Sequence, residues 1–298
     1  MKQPARSKEQ AFFRLILIAI VSLALLCLLA LGVLAVARVA LDDDSVLSDD
    51  MQSGEPTTSD QQEGVTPPRE GDEPAGETPD DDTAPVGKLA GALGETPDRG
   101  QAYIDSMLFF GESTTAHLRS RGVLSGGKAT QQVLSDASNT MMLSMEILRK
   151  TILYPQTGEP MTVEQAVAKL QPKYMVLAFG VNGLSGFVAN RELYARSYAK
   201  LIGAIRTASP QTTVILQTVY PVGTSYDDAA AVNAKIRQLN EWLPAIAQEN
   251  GAYLVDTASC LADGQGMLRP EFAQADGLHL TAAAYREILA YLRTHACP

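Results

Sequence analysis

From residue 99 onward, short unbroken apolar runs alternate with longer stretches in which apolar residues recur every three or four positions. The first pattern reads as buried strands and the second as amphipathic helices. Strands are expected over 107–110, 173–179, 213–218 and 252–256, and helices over 114–121, 191–208, 228–250 and 281–295. A further helix should open at Pro160-Met161-Thr162. There Thr162 and Gln165 have capping-box spacing, and Val163, Ala166, Val167 and Leu170 share one face. In the 191–208 helix, Leu193, Tyr194, Tyr198, Leu201, Ile202 and Ile205 should point inward. Pro244 should kink the next one. Residues 129–154 follow no single period; 131–134 could be a strand, and 140–153 a further strand pair or an irregular excursion. Continuous apolar strands alternating with helices predict a parallel sheet covered on both faces and wound by right-handed crossovers. The expected fold class is therefore α/β, a three-layer α/β/α sandwich over residues 99–298.

The chain before residue 99 has a different texture. Residues 15–37 form a run of 23 without charge, in which only Ser22 is polar. As a helix this run would span about 34 Å, enough to cross a bilayer with some tilt. Lys2, Arg6, Lys8 and Arg14 precede it and Asp42, Asp43 and Asp44 follow. That asymmetry predicts residues 1–14 in the cytoplasm and the rest of the chain outside the cell membrane. Ala35-Val36-Ala37 resembles a signal-peptide cleavage site, but the apolar run exceeds the usual ~7–15 residues, which favours an uncleaved transmembrane anchor. Cys27, preceded by bulky Leu26, reads as an inert residue facing lipid.

Residues 38–98 are expected to be a disordered linker. Between Asp42 and Asp98 stand 17 acidic residues against Arg69 and Lys88, with many Pro, Thr, Gly and Ser and no aromatic. Such composition does not bury enough apolar surface to offset the entropy of ordering. Charge then divides as +4 over residues 1–38, −15 over the linker and +1 over 99–298, which sums to the −10 of the whole chain. The acidity belongs to the linker and carries no information about a substrate. No basic patch suggests nucleic acid. Cys260 and Cys297 could form a disulfide outside the cytoplasm, although a domain of this size does not need one.

Three polar turns stand out against this frame. Met107-Leu108-Phe109-Phe110 runs into Gly111-Glu112-Ser113, which puts a hydroxyl at the carboxyl end of a strand, beside a helix start. Ser113 alone could simply cap that helix. Gly180-Val181-Asn182-Gly183 follows the 173–179 strand, and Asp276-Gly277-Leu278-His279 precedes the last helix. Acyl transfer needs this set: a serine, an imidazole to take its proton, a carboxylate to hold the imidazole, and donors for the oxyanion. Of the other histidines, His117 on the first helix and His295 near the end of the chain are expected at the surface. No Gly-x-Ser-x-Gly elbow, phosphate-cradling glycine loop or metal-ligand spacing occurs, so neither a cofactor nor a metal is expected.

Gly111-Glu112-Ser113, Gly180-Val181-Asn182 and Asp276-Gly277-Leu278-His279 resemble three of the conserved blocks of the SGNH (GDSL-type) hydrolases, in the same order, over roughly residues 103–296. The resemblance implies a flavodoxin-like sandwich with a five-stranded parallel sheet. It implies Ser113 as nucleophile and, through its N–H, an oxyanion donor. Asn182 would be a second oxyanion donor, His279 the base and Asp276 its orienter. The first block has Glu112 where the family usually has aspartate. The family's second-block glycine has no evident counterpart; the loop Ser138-Asn139-Thr140 could supply an N–H from Asn139, which tolerates glycine-like φ angles, and Gly126 or Gly127 is the alternative. The function implied is a membrane-anchored serine esterase without a cofactor, acting on O-acyl, above all O-acetyl, groups of a cell-envelope carbohydrate. An O-acetyltransferase of the same fold and a binding module that has lost catalysis are the alternatives.

Overall fold

The computed structural model describes residues 89–298. The expected cytoplasmic segment, membrane helix and most of the linker lie outside these residues. Among the described residues no helix is long and apolar enough to cross a membrane.

The elements run α1 (Gly100–Asp105), β1 (Met107–Gly111), α2 (Ser113–Ser120), β2 (Val133–Leu134), β3 (Thr151–Leu153), β4 (Pro160–Thr162), α3 (Val163–Leu170), β5 (Tyr174–Ala178), α4 (Leu184–Ala189), α5 (Arg191–Ala208), β6 (Thr213–Gln217), α6 (Ala229–Glu249), β7 (Tyr253–Val255) and α7 (Ala282–Thr294). Five strands form one sheet in the order β2-β1-β5-β6-β7, and every pairing within it is parallel. The order in which strands are added reverses between β1 and β5, which is the flavodoxin-like switch point where open sheets bind ligands at their carboxyl ends.

Alternation along the strands divides the core into two. Leu108 and Phe110 of β1 join α3, α4, α5 and α6 on one face. Met107 and Phe109 join α1, α2 and α7 on the other. Both sets are buried because helices cover both faces, so the strands read as continuous apolar runs.

Several expectations change. The Thr162–Gln165 capping box is present and starts α3 at Val163. Residues 160–162, expected to open that helix, instead pair antiparallel with 151–153. Helices α1 and α4 were not anticipated. Leu193 lies on the outer side of α5, 36% exposed, whereas Tyr194, Tyr198, Leu201, Ile202 and Ile205 are buried as expected. The linker boundary also moves. Residues 89–98 run along the domain: the Leu89 N–H donates to Asp256 Oδ2 at 3.2 Å, and the Leu93 N–H donates to the Leu254 carbonyl at 2.7 Å. The latter bond covers the free edge of β7. The Thr96 N–H reaches the Thr294 carbonyl at 2.6 Å, and the Ala296 N–H reaches Thr96 Oγ1 at 3.2 Å, so the first and last segments of the domain lie side by side. Cys260 and Cys297 are free thiols.

Candidate active site

Ser113 is brought to the carboxyl end of the sheet by a strand end packed so closely that only glycine fits. A Cβ on Gly111 would stand 2.2 Å from Thr115 Oγ1 and 2.3 Å from the Ala178 carbonyl. Glu112 is the N-cap of α2 and Ser113 its first residue. The Ser113 N–H is therefore one of the groups left without a partner inside the helix. Its hydroxyl does not cap the helix: Oγ lies 3.2 Å from His279 Nε2.

His279 Nδ1 lies 2.6 Å from Asp276 Oδ2. Burial pushes the Asp276 carboxyl up. That effect is outweighed by hydrogen bonds from the His279 ring and from the N–H groups of His279 and Leu278, which bring the carboxyl down to about 2. An ionised carboxylate only accepts, so Nδ1 carries the proton and Nε2 presents its lone pair to the Ser113 hydroxyl. Such an array can transfer the serine proton and stabilise the imidazolium that results.

Two supports hold the Asp276–His279 turn. Gly277 has φ +69°, and a Cβ there would lie 2.6 Å from the Tyr226 backbone nitrogen. Its carbonyl accepts from the Gly223 N–H at 2.7 Å. The 219–222 segment leading to Gly223 is gripped by α6. Asn240 exchanges both amide hydrogen bonds with Val219, and Asn233 does the same with Val222. From α7, buried Tyr285 donates its hydroxyl to the Thr114 carbonyl at 2.6 Å, tying the helix after His279 to the helix that carries Ser113.

The turn bearing Asn182 is held from both sides. Tyr194 and Tyr198 of α5 both donate to the Phe179 carbonyl, at 3.0 and 3.1 Å. Glu112 accepts from the next three N–H groups: Gly180 at 2.9 Å, Val181 at 3.2 Å and Asn182 at 3.0 Å. The extra methylene relative to aspartate therefore carries a carboxyl, 4% exposed, under the neighbouring turn. Sequence reasoning marked Glu112 only as a departure from the family pattern. A buried acid placed beside a glycine turn was the available signal.

Glu112 makes a testable contribution to stability. Burial pushes its carboxyl from 4.5 up to about 7, against the pull of the Gly180, Asn182 and Val181 N–H groups. The folded state then holds this proton more tightly than the unfolded chain. The stability it contributes is complete below pH 4.5 and is lost as pH rises through 7, a change of about 3 kcal/mol. Glutamine mimics the protonated acid. Glu112→Gln should accordingly gain stability relative to the wild type between pH 4.5 and 8, measured by urea unfolding of both proteins at each end. A difference that does not vary with pH would mean that Glu112 is ionised throughout.

The other anticipated residues are placed as follows. Asn182 directs one amide N–H to the Met141 carbonyl at 3.2 Å. Asn139 does adopt a left-handed φ of 57°, but its N–H donates to the Asp136 carbonyl within its own turn, at 3.3 Å. Gly126 and Gly127 also have positive φ and lie in the turn after α2. His295, expected at the surface, is half-buried and stacks on Tyr291 with ring centroids 3.7 Å apart. His117 is not the surface residue expected: it is half-buried, with its ring centroid 4.7 Å from that of His279.

A groove of about 460 Å³ adjoins Asp276, lined by Ser225, Tyr226, Asp227, Asp228 and Lys235 among others. A second cavity, about 170 Å³, lies between the ends of β6 and β7 and helix α6. It contains none of Ser113, Asn182, Asp276 or His279. Among the described residues no cluster of side chains has the make-up of a metal site.

The α/β fold, with a serine, a histidine and an aspartate in hydrogen-bond line at its switch point, is compatible with more than one class of enzyme. Comparison with known proteins narrows the choice. The profile of the GDSL-like Lipase/Acylhydrolase family matches residues 109–287. The chain belongs to this family and is a hydrolase acting on esters. Among solved structures it is similar to a GDSL-like lipase from Bacteroides thetaiotaomicron, at 17% identity and TM-score 0.42, covering 62% of this chain and 84% of that one. It is also similar to a family 3 carbohydrate esterase from Clostridium thermocellum, at 18% identity and TM-score 0.40, covering 62% and 91%. A carbohydrate esterase family 3 protein from Talaromyces cellulolyticus gives 16% identity and TM-score 0.40, covering 62% and 92%. No curated protein sequence matched the chain.

Proposed function

We propose that the protein is a serine esterase held at the outer face of the cell membrane by residues 15–37, removing O-acyl groups, acetyl above all, from a cell-envelope carbohydrate. The observation that carries this reading is the continuous array of Ser113 Oγ, His279 Nε2, His279 Nδ1 and Asp276 Oδ2, with separations of 3.2 and 2.6 Å. Ser113 would attack the ester carbonyl as His279 takes its proton. His279 would return that proton to the departing sugar hydroxyl, and a water activated by the same imidazole would then release the acid from the seryl ester. The developing oxyanion would be met by the Ser113 N–H at the start of α2 and by an amide hydrogen of Asn182.

The groove beside Asp276 supports a polar alcohol. Its hydroxyl, carboxylate and ammonium groups hydrogen-bond a polyhydroxylated partner better than they solvate an acyl chain. A polar tether ahead of the domain would allow it to reach glycan around the anchor.

A fluorophosphonate probe tests this reading. It should label wild-type protein at a single residue, Ser113, and Ser113→Ala should be unlabelled and inactive on an acetyl ester. Persistent labelling of a folded Ser113→Ala variant would overturn the assignment. Assaying release of free acetate against transfer to an added sugar separates the esterase from an acyltransferase of the same fold.

A further inference from the structure

His117 is four residues beyond Ser113 on α2, one turn along and on the same helix face. Its ring meets the His279 ring with centroids 4.7 Å apart and planes inclined by 45°. The His279 imidazole is thus bounded by Asp276 at one nitrogen, Ser113 at the other and the tilted ring of His117 beside it.

Two observations indicate that this contact is more than fortuitous packing. His117 Nδ1 is buried with no hydrogen-bond partner among the described residues. Packing alone would be served by an apolar side chain that strands no nitrogen, whereas a stranded one costs stability. The surroundings also oppose a charge on the ring. Burial pulls its pKa down, and so do the charges of His279, on the loop before α7, and of Arg121, just past the end of its own helix, with only Asp276 acting in the other direction.

We propose that His117 is a positioning residue for His279: its uncharged ring walls one side of the imidazole, keeps it aligned between Ser113 and Asp276, and excludes water from that side. This rests on reading Ser113, His279 and Asp276 as the catalytic array. A catalytic imidazole turned away by a fraction of an ångström loses much of its effectiveness, since misplacement of about 1 Å costs up to about 10²-fold. A wall that carries no charge fixes the ring without opposing the positive charge that develops on it.

The test uses the purified full-length chain, two substitutions at position 117 and one at 279, assayed on a chromogenic acetyl ester. His117→Ala should lower kcat about tenfold with KM within about twofold, because alignment is lost and binding is not. It should also move the acid limb of the kcat/KM profile to higher pH, because water reaching the exposed side favours the protonated imidazole. His117→Phe restores a neutral ring and should recover kcat to within about threefold, with the acid limb back at its wild-type position. Circular dichroism and melting temperature establish that each variant is folded. Either of two results overturns the proposal: a folded His117→Ala with wild-type kcat and an unmoved acid limb, or a folded His117→Phe no better than alanine. His279→Ala separates this from failure of the parent reading. If it stays active the catalytic array itself is wrong, whereas if it is inactive and His117→Ala is unaffected, only the role of His117 falls.

Discussion

Replacing His279 by alanine is expected to lower kcat on an acetyl ester by about 10⁴-fold or more, with little change in melting temperature. The size follows from the proposed mechanism, in which Nε2, 3.2 Å from Ser113 Oγ, takes the serine proton. Without it the hydroxyl is a weak nucleophile. The wild-type enzyme should lose activity on acidification because a protonated imidazole has no lone pair to offer. Asp276, where hydrogen bonds from the His279 ring and the neighbouring N–H groups outweigh desolvation and hold the carboxyl at about 2, stays ionised over the assay range and does not add to that loss. His295→Ala is the control, since that ring lies against Tyr291. A comparable loss there would mean that the wrong histidine has been assigned.

Asn182→Ala is expected to lower kcat about 10²–10³-fold with KM nearly unchanged. A side-chain amide has two hydrogens to donate, and one of them is directed to the Met141 carbonyl. Among the described residues the second has no partner, and in the proposed mechanism it would meet an oxyanion that forms only during reaction. The backbone around it is fixed by Glu112 below and by Tyr194 and Tyr198 behind, so the amide needs little reorganisation. If Asn182 serves only to anchor the 141–145 loop, the variant melts lower but acylates normally. Single-turnover acylation measured beside melting temperature separates the outcomes. A folded variant with normal acylation would exclude Asn182 from the mechanism.

Strands β1, β5, β6 and β7 were legible because their apolar side chains come in unbroken runs, which a surface loop does not do, whereas β2, only Val133–Leu134, was left open. The candidate turns stood out because the serine, asparagine and aspartate–histidine segments all fall beyond strand ends or before the last helix. What escaped was short or depended on distant partners. Helix α4 spans six residues from a left-handed Gly183, too few to establish a period, although Leu184, Phe187 and Val188 have helical spacing. Residues 160–162 carry a helix-start signal and yet pair as a strand, because the capping box belongs to Thr162 whatever precedes it. Residues 89–98 have a linker's composition, and only the exposed edge of β7 and the end of α7 give their backbone partners. The approach of His117 to His279 joins positions 162 apart in the chain, and no local pattern announces it.

The adjacency of the domain's first and last segments frees its chemistry from its chain order. Because residue 96 and residue 296 are neighbours, a short peptide could join the two ends, and the exposed hairpin turn at Gly158 could be opened to make new ones. Such a circular permutant would read its histidine before its serine and still close the same array. The same closeness would let the domain be spliced whole into a surface loop of another protein, leaving and re-entering its host at nearly one point.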